Sequence, residues 1–189
     1  MAELPTASVT IACSDFRYIE DTIDIIAVLV HEYSMEGIVV ILNKATREFA
    51  YYLEQRGVGL GGIHFIDCNS IISGKGTPPI PNCIALNNPT QYENILFYTL
   101  VTLRKLTAKP RFVVFVSSRM FLTYDDFNEV AVFFKIYTDR MKKEKIACLI
   151  PIQKASNYEF EALLERITDV TYTYEDWMEA FSKTEVKFA

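Results

Sequence analysis

Glycine is scarce in this sequence. Seven glycines occur among 189 residues, and all of them lie between Gly37 and Gly76. A loop that holds phosphate between the first strand and the first helix needs glycine, because its backbone N–H groups must approach the phosphate oxygens closely. The first predicted strand-to-helix junction, near residues 13–18, has none. The sequence therefore excludes a conventional phosphate-binding loop at this place.

Metal ligands and disulfide partners are also scarce. The four cysteines stand at positions 13, 68, 83 and 148 without any C-x-x-C pair, and the chain has two histidines. A zinc site needs closely spaced ligands, whereas a free cysteine in an apolar run behaves as a small buried hydrophobe. We therefore expect no metal ion, no disulfide and no cofactor.

Excess positive charge and long apolar runs are missing as well. The net charge is −5, and the densest basic run, at 140–145, is typical of a helix end. Because a nucleic-acid-binding domain usually has a basic face, we expect no nucleic-acid partner. The longest apolar stretch, at 23–30, contains Asp24 and is far too short to span a bilayer. With no secretory signal in the first residues, we expect no membrane insertion and a cytoplasmic location.

Short β-branched runs alternate with longer amphipathic segments along the chain. This alternation is typical of parallel strands joined by crossover helices. The patterns predict strands at 8–13, 37–42, 62–68, 83–86, 112–117, 145–152 and 170–174, and helices at about 15–33, 43–56, 90–106, 124–143 and 157–167. Ser14 or Asp15 is the predicted cap of the first helix, Asn43 of the second and Asn157 of the last. A three-layer α/β domain with a mainly parallel, doubly wound sheet is the simplest fold that fits.

Two glycine-containing phrases match nucleotide-binding motifs in letters but not in context. Residues 57–62 read G-V-G-L-G-G, but they follow a predicted helix and open a strand, whereas the dinucleotide motif follows a strand and opens a helix. Gly74-Lys75-Gly76 lies in the long loop at 69–82, where no Ser or Thr follows the lysine directly. We interpret the first phrase as a helix-to-strand turn and the second as part of a flexible loop.

Three serines follow predicted strands, where sites form in α/β proteins. They are Ser14, Ser117 and Ser118, and none lies in a G-x-S-x-G phrase. The only histidines, His31 and His64, fall inside a helix and a strand. We therefore do not expect a hydrolase triad.

An acidic pocket is an alternative arrangement at the strand ends. Asp15 and Asp67 end strands, and with Lys154 they would form a pocket like that of phosphoacceptor receiver domains. That pattern needs two adjacent acids after the first strand, and Ser14 occupies one of those places. We keep this pocket as a lesser alternative.

Taken in order, the elements resemble those of a known ATPase family. The likeness rests on the strand at 37–42, the helix ending at Arg56, the segment 58–68 with its F-I-D, the proline-rich loop, the long helix, and the phrase R-F-V-V-F-V-S-S at 111–118. Together they resemble the RecA-like ATPase core of KaiC-type archaeal proteins over roughly residues 8–174. The resemblance implies the RecA-like fold of P-loop nucleoside triphosphatases.

The catalytic groups that this resemblance implies are absent from their places. The family's first strand leads into a Walker A loop, G-x-x-x-x-G-K-[ST], where this chain reads C-S-D-F-R-Y-I-E-D-T at 13–22. The family's catalytic glutamate ends the second strand, where this chain has Asn43 and Lys44, and its Walker B aspartate falls at Val116 or Ser117. Three parts of the phosphoryl-transfer machinery are thus missing together. We expect a RecA-like fold without a P-loop, with a degenerate cleft lined by Ser14, Asp15, Arg17, Asn43 and Ser117.

Aromatic side chains are concentrated near the C-terminus. Trp177, Met178 and Phe181 are the interface candidates, because aromatic residues and Met are enriched at the centres of interfaces. The other possibility is that they fold back over the edge of the sheet. We treat 1–189 as one domain, with a core at about 8–174 and an aromatic segment at 175–189.

The function expected from the sequence is non-catalytic. A pseudo-ATPase domain would act as a protein-interaction or regulatory module that binds either a protein partner or a second copy of itself, the latter as a homodimer. The alternative is a nucleotide-binding or hydrolytic enzyme that uses the cleft at the strand ends in an atypical way.

Overall fold

The seven strands in the described part of the chain join one parallel sheet. The computed structural model describes residues 7–108, 110–154 and 158–182. The strands are β1 (Ser8–Cys13), β2 (Glu36–Ile41), β3 (Ile63–Asp67), β4 (Cys83–Ala85), β5 (Arg111–Val116), β6 (Ala147–Gln153) and β7 (Val170–Thr173). Their order across the sheet is β4-β3-β2-β5-β6-β1-β7, and every neighbouring pair is parallel. A parallel sheet of this kind needs cover on both faces.

Helices supply that cover in two layers. They are α1 (Tyr18–Tyr33), α2 (Thr46–Gln55), α3 (Tyr92–Leu103), α4 (Phe121–Tyr124), α5 (Phe127–Lys143), α6 (Tyr158–Ile167) and α7 (Tyr174–Phe181). The buried side chains of α1, α2 and α7 form one core with the first face of the sheet, and those of α3, α5 and α6 form a second core with the other face. The three-layer α/β fold is therefore confirmed. In the described ranges no helix has the length and apolar character needed to cross a membrane.

Two predicted helix caps are wrong. Helix α1 has Arg17 at its N-cap in place of Ser14 or Asp15, and α2 has Ala45 in place of Asn43. In both cases the chain makes a short loop after the strand before the helix begins, so the polar residues next to the strand lie outside the helix. The predicted cap Asn157 lies outside the described residues.

The predicted helix at 124–143 corresponds to α5, which begins three residues later. The short helix α4, which was not predicted, precedes it, and Asp125 and Asp126 separate the two. The side chain of Asp126 accepts hydrogen bonds from the backbone N–H groups of Asn128, at 2.8 Å, and Glu129, at 3.1 Å. This N-cap fixes the start of α5 at Phe127, the first of the apolar positions from which the helix is predicted.

The C-terminal aromatic residues lie in the core. Trp177 is 1% exposed, and Met178 and Phe181 are also buried against the α1 side of the sheet. The Trp177 and Phe181 ring centroids are 5.4 Å apart, and the hydroxyl of Tyr33 donates to the backbone oxygen of Phe181 at 2.9 Å. These three side chains are therefore not an exposed interface, because burial in their own fold satisfies their apolar surface. Residues 183–189 of the predicted aromatic segment lie outside the described residues.

One glycine is required where the two central strands meet. Gly37 of β2 is paired directly with Phe112 of β5. A Cβ atom on Gly37 would lie 2.4 Å from the ring of Phe112, and both residues are buried. The absence of a side chain at position 37 is what allows the Phe112 ring to occupy its place in the core.

We expect Gly37→Ala to destabilise the fold by about 2–3 kcal/mol, because the new methyl group overpacks a region that cannot expand freely. Gly59→Ala is the control, since a Cβ there meets nothing within 4 Å and the φ of Gly59 is −70°. Urea unfolding measures both. An effect of Gly37→Ala no larger than that of Gly59→Ala would contradict this packing argument.

Candidate functional site

The carboxyl ends of four strands open into one cleft. Because β1, β2, β5 and β6 are parallel, the residues that follow them share one edge of the sheet, which is where open α/β sheets bind ligands. The cleft lies between α1 and α2 and has a volume of about 510 Å³, a size suited to a small molecule or a few side chains. Asp15, Asn43, Ser117 and Gln153 line its strand-end side.

An acidic side chain from α1 contacts the polar groups of the junction between β1 and α1. Asp21, from the first turn of α1, is 2% exposed. One of its oxygens accepts a hydrogen bond from the backbone N–H of Ser14 at 3.2 Å, and the other lies 3.8 Å from Nε of Arg17. An internal carboxylate therefore takes the backbone donor and the cation that an anionic ligand would use here.

Burial governs the charge of Asp21. It raises the pKa of this carboxyl to about 6, and the Ser14 N–H and Arg17 oppose the rise without cancelling it. The group is ionised at neutral pH and pairs with Arg17.

The side chain of Tyr18 fills the space behind this junction. The hydrogen-bonded ladder between β5 and β6 ends at the pair Val114 and Leu149, so the two strands separate beyond it. There the hydroxyl of Tyr18 accepts a hydrogen bond from the backbone N–H of Ser117 at 2.6 Å and donates to the backbone oxygen of Pro151 at 3.2 Å. One buried side chain thus joins the ends of both strands.

Backbone geometry at two residues suits this bridge. Ser117 has a φ of 62°, in the left-handed region, where the chain turns sharply out of β5 and its N–H is available to Tyr18. Pro151 has no N–H to donate, and it faces the side of β6 where pairing with β5 has ended. A proline in a central strand is tolerated only where such a ladder bond is not needed.

The residues predicted for the degenerate cleft are only partly brought together. Asp15, Asn43 and Ser117 line the cleft. Ser14 lies instead beside a second hollow of about 370 Å³, on the other side of the β1–α1 junction. Arg17 lines neither hollow and is paired with Asp21.

Tyr18 and Asp21 are the residues that sequence reasoning missed. Both appear in the sequence as ordinary members of an amphipathic helix. The one available signal was a tyrosine at the first helical position, directly after the loop that follows β1.

The alternative acidic pocket is wrong. Asp67 ends β3, which lies four strand positions from β1, or about 19 Å at the usual strand spacing. Its buried carboxylate accepts hydrogen bonds from the side chains of Thr46 and Ser70 and from the backbone N–H groups of Asn69 and Ser70. Asp67 therefore anchors the start of α2 and the loop after β3, and it does not share a pocket with Asp15.

The histidines are remote from the strand-end serines. His31 is in the last turn of α1, about 20 Å along the helix from Tyr18, and its ring lies 3.2 Å from the backbone oxygen of Gly57. His64 lies within β3, where burial lowers its pKa. Neither reaches Ser117, so the described residues hold no catalytic triad. The same ranges contain no cluster of three His, Cys, Asp or Glu residues placed to hold a metal ion.

The mouth of the cleft has an excess of negative charge. Asp15, Glu20 and Glu48 line it, together with Lys44 and Arg56. The guanidinium of Arg56 lies 3.0 Å from a carboxylate oxygen of Asp24, outside the cleft. Three carboxylates therefore face one cation, Lys44, whose charge is not already paired with an acid in the described chain.

No protein-family model and no curated protein matches this chain. Its structure resembles a solved structure of a KaiC-like protein from the hyperthermophilic archaeon Pyrococcus horikoshii, with a TM-score of 0.58 and 13% sequence identity. The match covers 85% of this chain and 68% of the other. At this identity the likeness shows the fold alone, and that fold is RecA-like, as the sequence predicts.

We expect Tyr18→Phe to lower the free energy of unfolding by about 1–3 kcal/mol, because it leaves the Ser117 N–H and the Pro151 carbonyl without their shared partner. Tyr158→Phe is the control, since Tyr158 lies at the surface and its loss should change stability by less than about 0.5 kcal/mol. Chemical denaturation compares the two. Equal effects would show that the Tyr18 hydroxyl does not hold the strand ends together.

Asp21 should give the protein a distinctive pH dependence. Because its pKa in the folded protein, about 6, is above the usual 3.8, the folded state holds this proton more tightly than the unfolded chain does. Its contribution to the free energy of unfolding therefore falls as pH rises from about 4 to 6 and is constant above that.

Asp21→Asn should remove this fall, because Asn does not titrate. The free energy of unfolding of the variant minus that of wild type should therefore increase by about 2–3 kcal/mol between pH 4 and pH 6.5. Urea titrations across this range measure the difference, with the surface change Glu165→Gln as the control. A difference that does not vary with pH would contradict the raised pKa.

Proposed function

We propose that this protein is a non-catalytic RecA-like domain, a pseudo-ATPase that acts through protein contacts in a regulatory or signalling role. The observation that carries the proposal is the β1–α1 junction, where Asp21 binds the Ser14 N–H and Arg17, and Tyr18 fills the space at the ends of β5 and β6. A nucleoside triphosphate needs free backbone donors and a cation at this position. Here the carboxylate of Asp21 already occupies the Ser14 N–H and pairs with Arg17.

Charge supports the same conclusion. A triphosphate entering the cleft would meet the carboxylates of Asp15, Glu20 and Glu48 with Lys44 as the main opposing cation. No carboxylate follows directly at the ends of β2 and β5, where Asn43 and Ser117 stand, so the usual ligands for magnesium and for the attacking water are not supplied there. Catalysis by the P-loop route would lack phosphate binding, metal binding and a base.

A role in protein contacts follows from what remains exposed at the same edge. Phe16 and Tyr52 line the cleft with a large part of their ring surface open to solvent. Neither residue belongs to the two core clusters, and exposed aromatic side chains are typical of surfaces that bind other proteins. The proposal includes a partner protein or a second copy of this chain, in the cytoplasm.

The volume and position of the cleft support a second candidate function, that of a nucleotide-binding or hydrolytic enzyme that uses this cleft in an atypical way. One titration separates the two. Protein is titrated with ATP and Mg²⁺ by calorimetry, its melting temperature is followed at 1 mM ATP, and phosphate release is measured beside an active P-loop ATPase. We expect no measurable heat, a shift below about 1 °C and no phosphate release.

A dissociation constant near 10 µM would stabilise the protein by about 2.7 kcal/mol at 1 mM ATP, which corresponds to a shift of at least about 5 °C. That result, with turnover, would overturn the pseudo-ATPase proposal. Lys44→Ala tests whether any weak binding comes from the cleft, with Lys105→Ala, an exposed lysine outside it, as the matched control.

A further inference from the structure

The most exposed large apolar side chain among the described residues stands at the mouth of the cleft. Phe16, in the β1–α1 junction, is 97% exposed. Tyr52 of α2 lines the same cleft and is 41% exposed, and its ring centroid lies 5.8 Å from that of Tyr51. When a binding partner covers aromatic rings that are exposed to water in this way, the free energy of the system falls.

Apolar side chains continue from these rings into the cleft. Ile19 and Ile23, one turn apart on α1, line it beside Tyr52. Ile23 is buried, whereas Ile19 is half-buried and accessible from the cleft. The groove between the two helices therefore has an apolar wall with aromatic residues at its mouth.

Carboxylates from both helices surround this apolar surface. The hydroxyl of Tyr52 donates to Oε1 of Glu48 at 3.4 Å, and the charges of Glu48 and of Glu20 both raise the pKa of Tyr52. Glu20 is on α1 and Glu48 on α2, so two acids from opposite sides of the groove face the same ring. Asp15 adds a third next to Phe16.

The nearby cations do not balance these acids. Arg17 is paired with Asp21 and Arg56 with Asp24. Among the described residues, Lys44, after β2, is the one remaining cation that lines the groove. A ligand that complements the groove must therefore be positively charged and partly apolar.

We propose that the groove between α1 and α2 is the docking site for a basic segment of a partner protein, which inserts an Arg or Lys side chain between Phe16 and Tyr52. A guanidinium or ammonium group is attracted both by the faces of aromatic rings and by the surrounding carboxylates. Apolar side chains next to it in the segment would pack against Ile19. This inference rests on the proposed function and names the chemistry of the partner.

Two other occupants fit less well. A second copy of this chain docked groove to groove in a symmetric dimer would bring like charges together. A free amine small enough for a cleft of about 510 Å³ would leave most of the surface of Phe16 uncovered, whereas an extended segment continues past the mouth of the cleft and covers that ring.

The test uses two pools of fluorescent seven-residue peptides. In one pool every second position is Arg, and in the other every second position is Glu. The remaining positions of both pools are a mixture of Leu, Ala and Ser. Binding is measured by anisotropy at physiological salt, and the contacted residues are mapped by NMR on labelled full-length protein. We expect the Arg pool to bind, the Glu pool not to bind, and the largest shifts at Phe16, Glu20 and Tyr52.

Variants test whether the acidic residues of the groove are responsible for binding of the Arg pool. Glu20→Gln with Glu48→Gln should weaken binding of the Arg pool at least fivefold, and so should Phe16→Ser, whose side chain is outside the core. Glu159→Gln with Glu165→Gln removes the same charge from exposed positions of α6, on the opposite face of the sheet, and should change affinity less than twofold. Circular dichroism checks that each variant is folded.

Several results would overturn the proposal. They are no binding of the Arg pool, equal weakening by the two double variants, and binding of spermidine as tightly as the peptides with shifts at the same residues. Self-association competed by the peptides would point to a second copy as the occupant and would also overturn it. ATP hydrolysis, measured in the separate titration, bears on the pseudo-ATPase proposal alone, so failure of one proposal is distinguishable from failure of the other.

Discussion

Parallel pairing of all seven strands is the constraint on which the structure depends. It requires apolar cover on both faces, because neither face of such a sheet is solvated. Helices α1, α2 and α7 meet this need on one side, and α3, α5 and α6 on the other. It also brings the ends of β1, β2, β5 and β6 to one edge, which leaves that edge as the natural place for a binding site.

At that edge the protein's own side chains accept hydrogen bonds from the backbone N–H groups of Ser14 and Ser117. The Tyr18 hydroxyl bridges the separated ends of β5 and β6, and Asp21 receives the Ser14 N–H. In a nucleotide-binding domain these donors and this space would remain open for phosphate. This arrangement is the observation on which the proposal of a pseudo-ATPase rests.

The same acids that disfavour a triphosphate complement a cation. Glu20 and Glu48 lie on different helices and converge on Tyr52, so the negative charge is concentrated at the groove between them. Phe16 stands beside that charge with its ring in water. The proposed loss of catalysis and the proposed docking of a basic segment therefore follow from one distribution of charge and aromatic surface.

The order of strands and helices is predictable from the amino-acid sequence, because hydrophobic periodicity and β-branched runs are local properties. The sequence also predicts the lack of a phosphate loop, since the junction after β1 contains no glycine. Local patterns did not determine where α1 and α2 begin, nor the break between α4 and α5, because polar residues near a helix start compete for the cap.

The environment of α7 and the contacts between residues distant in sequence depend on the tertiary structure. Whether Trp177 and Phe181 face a partner or the core depends on how α7 packs beside α1, and their spacing in the chain does not show this. Tyr18 and Ser117 are 99 residues apart in sequence, and Asp15 and Asp67 lie on distant strands. Only the order of strands across the sheet brings the first pair into contact and keeps the second pair apart, because that order sets the distance between residues remote in the chain.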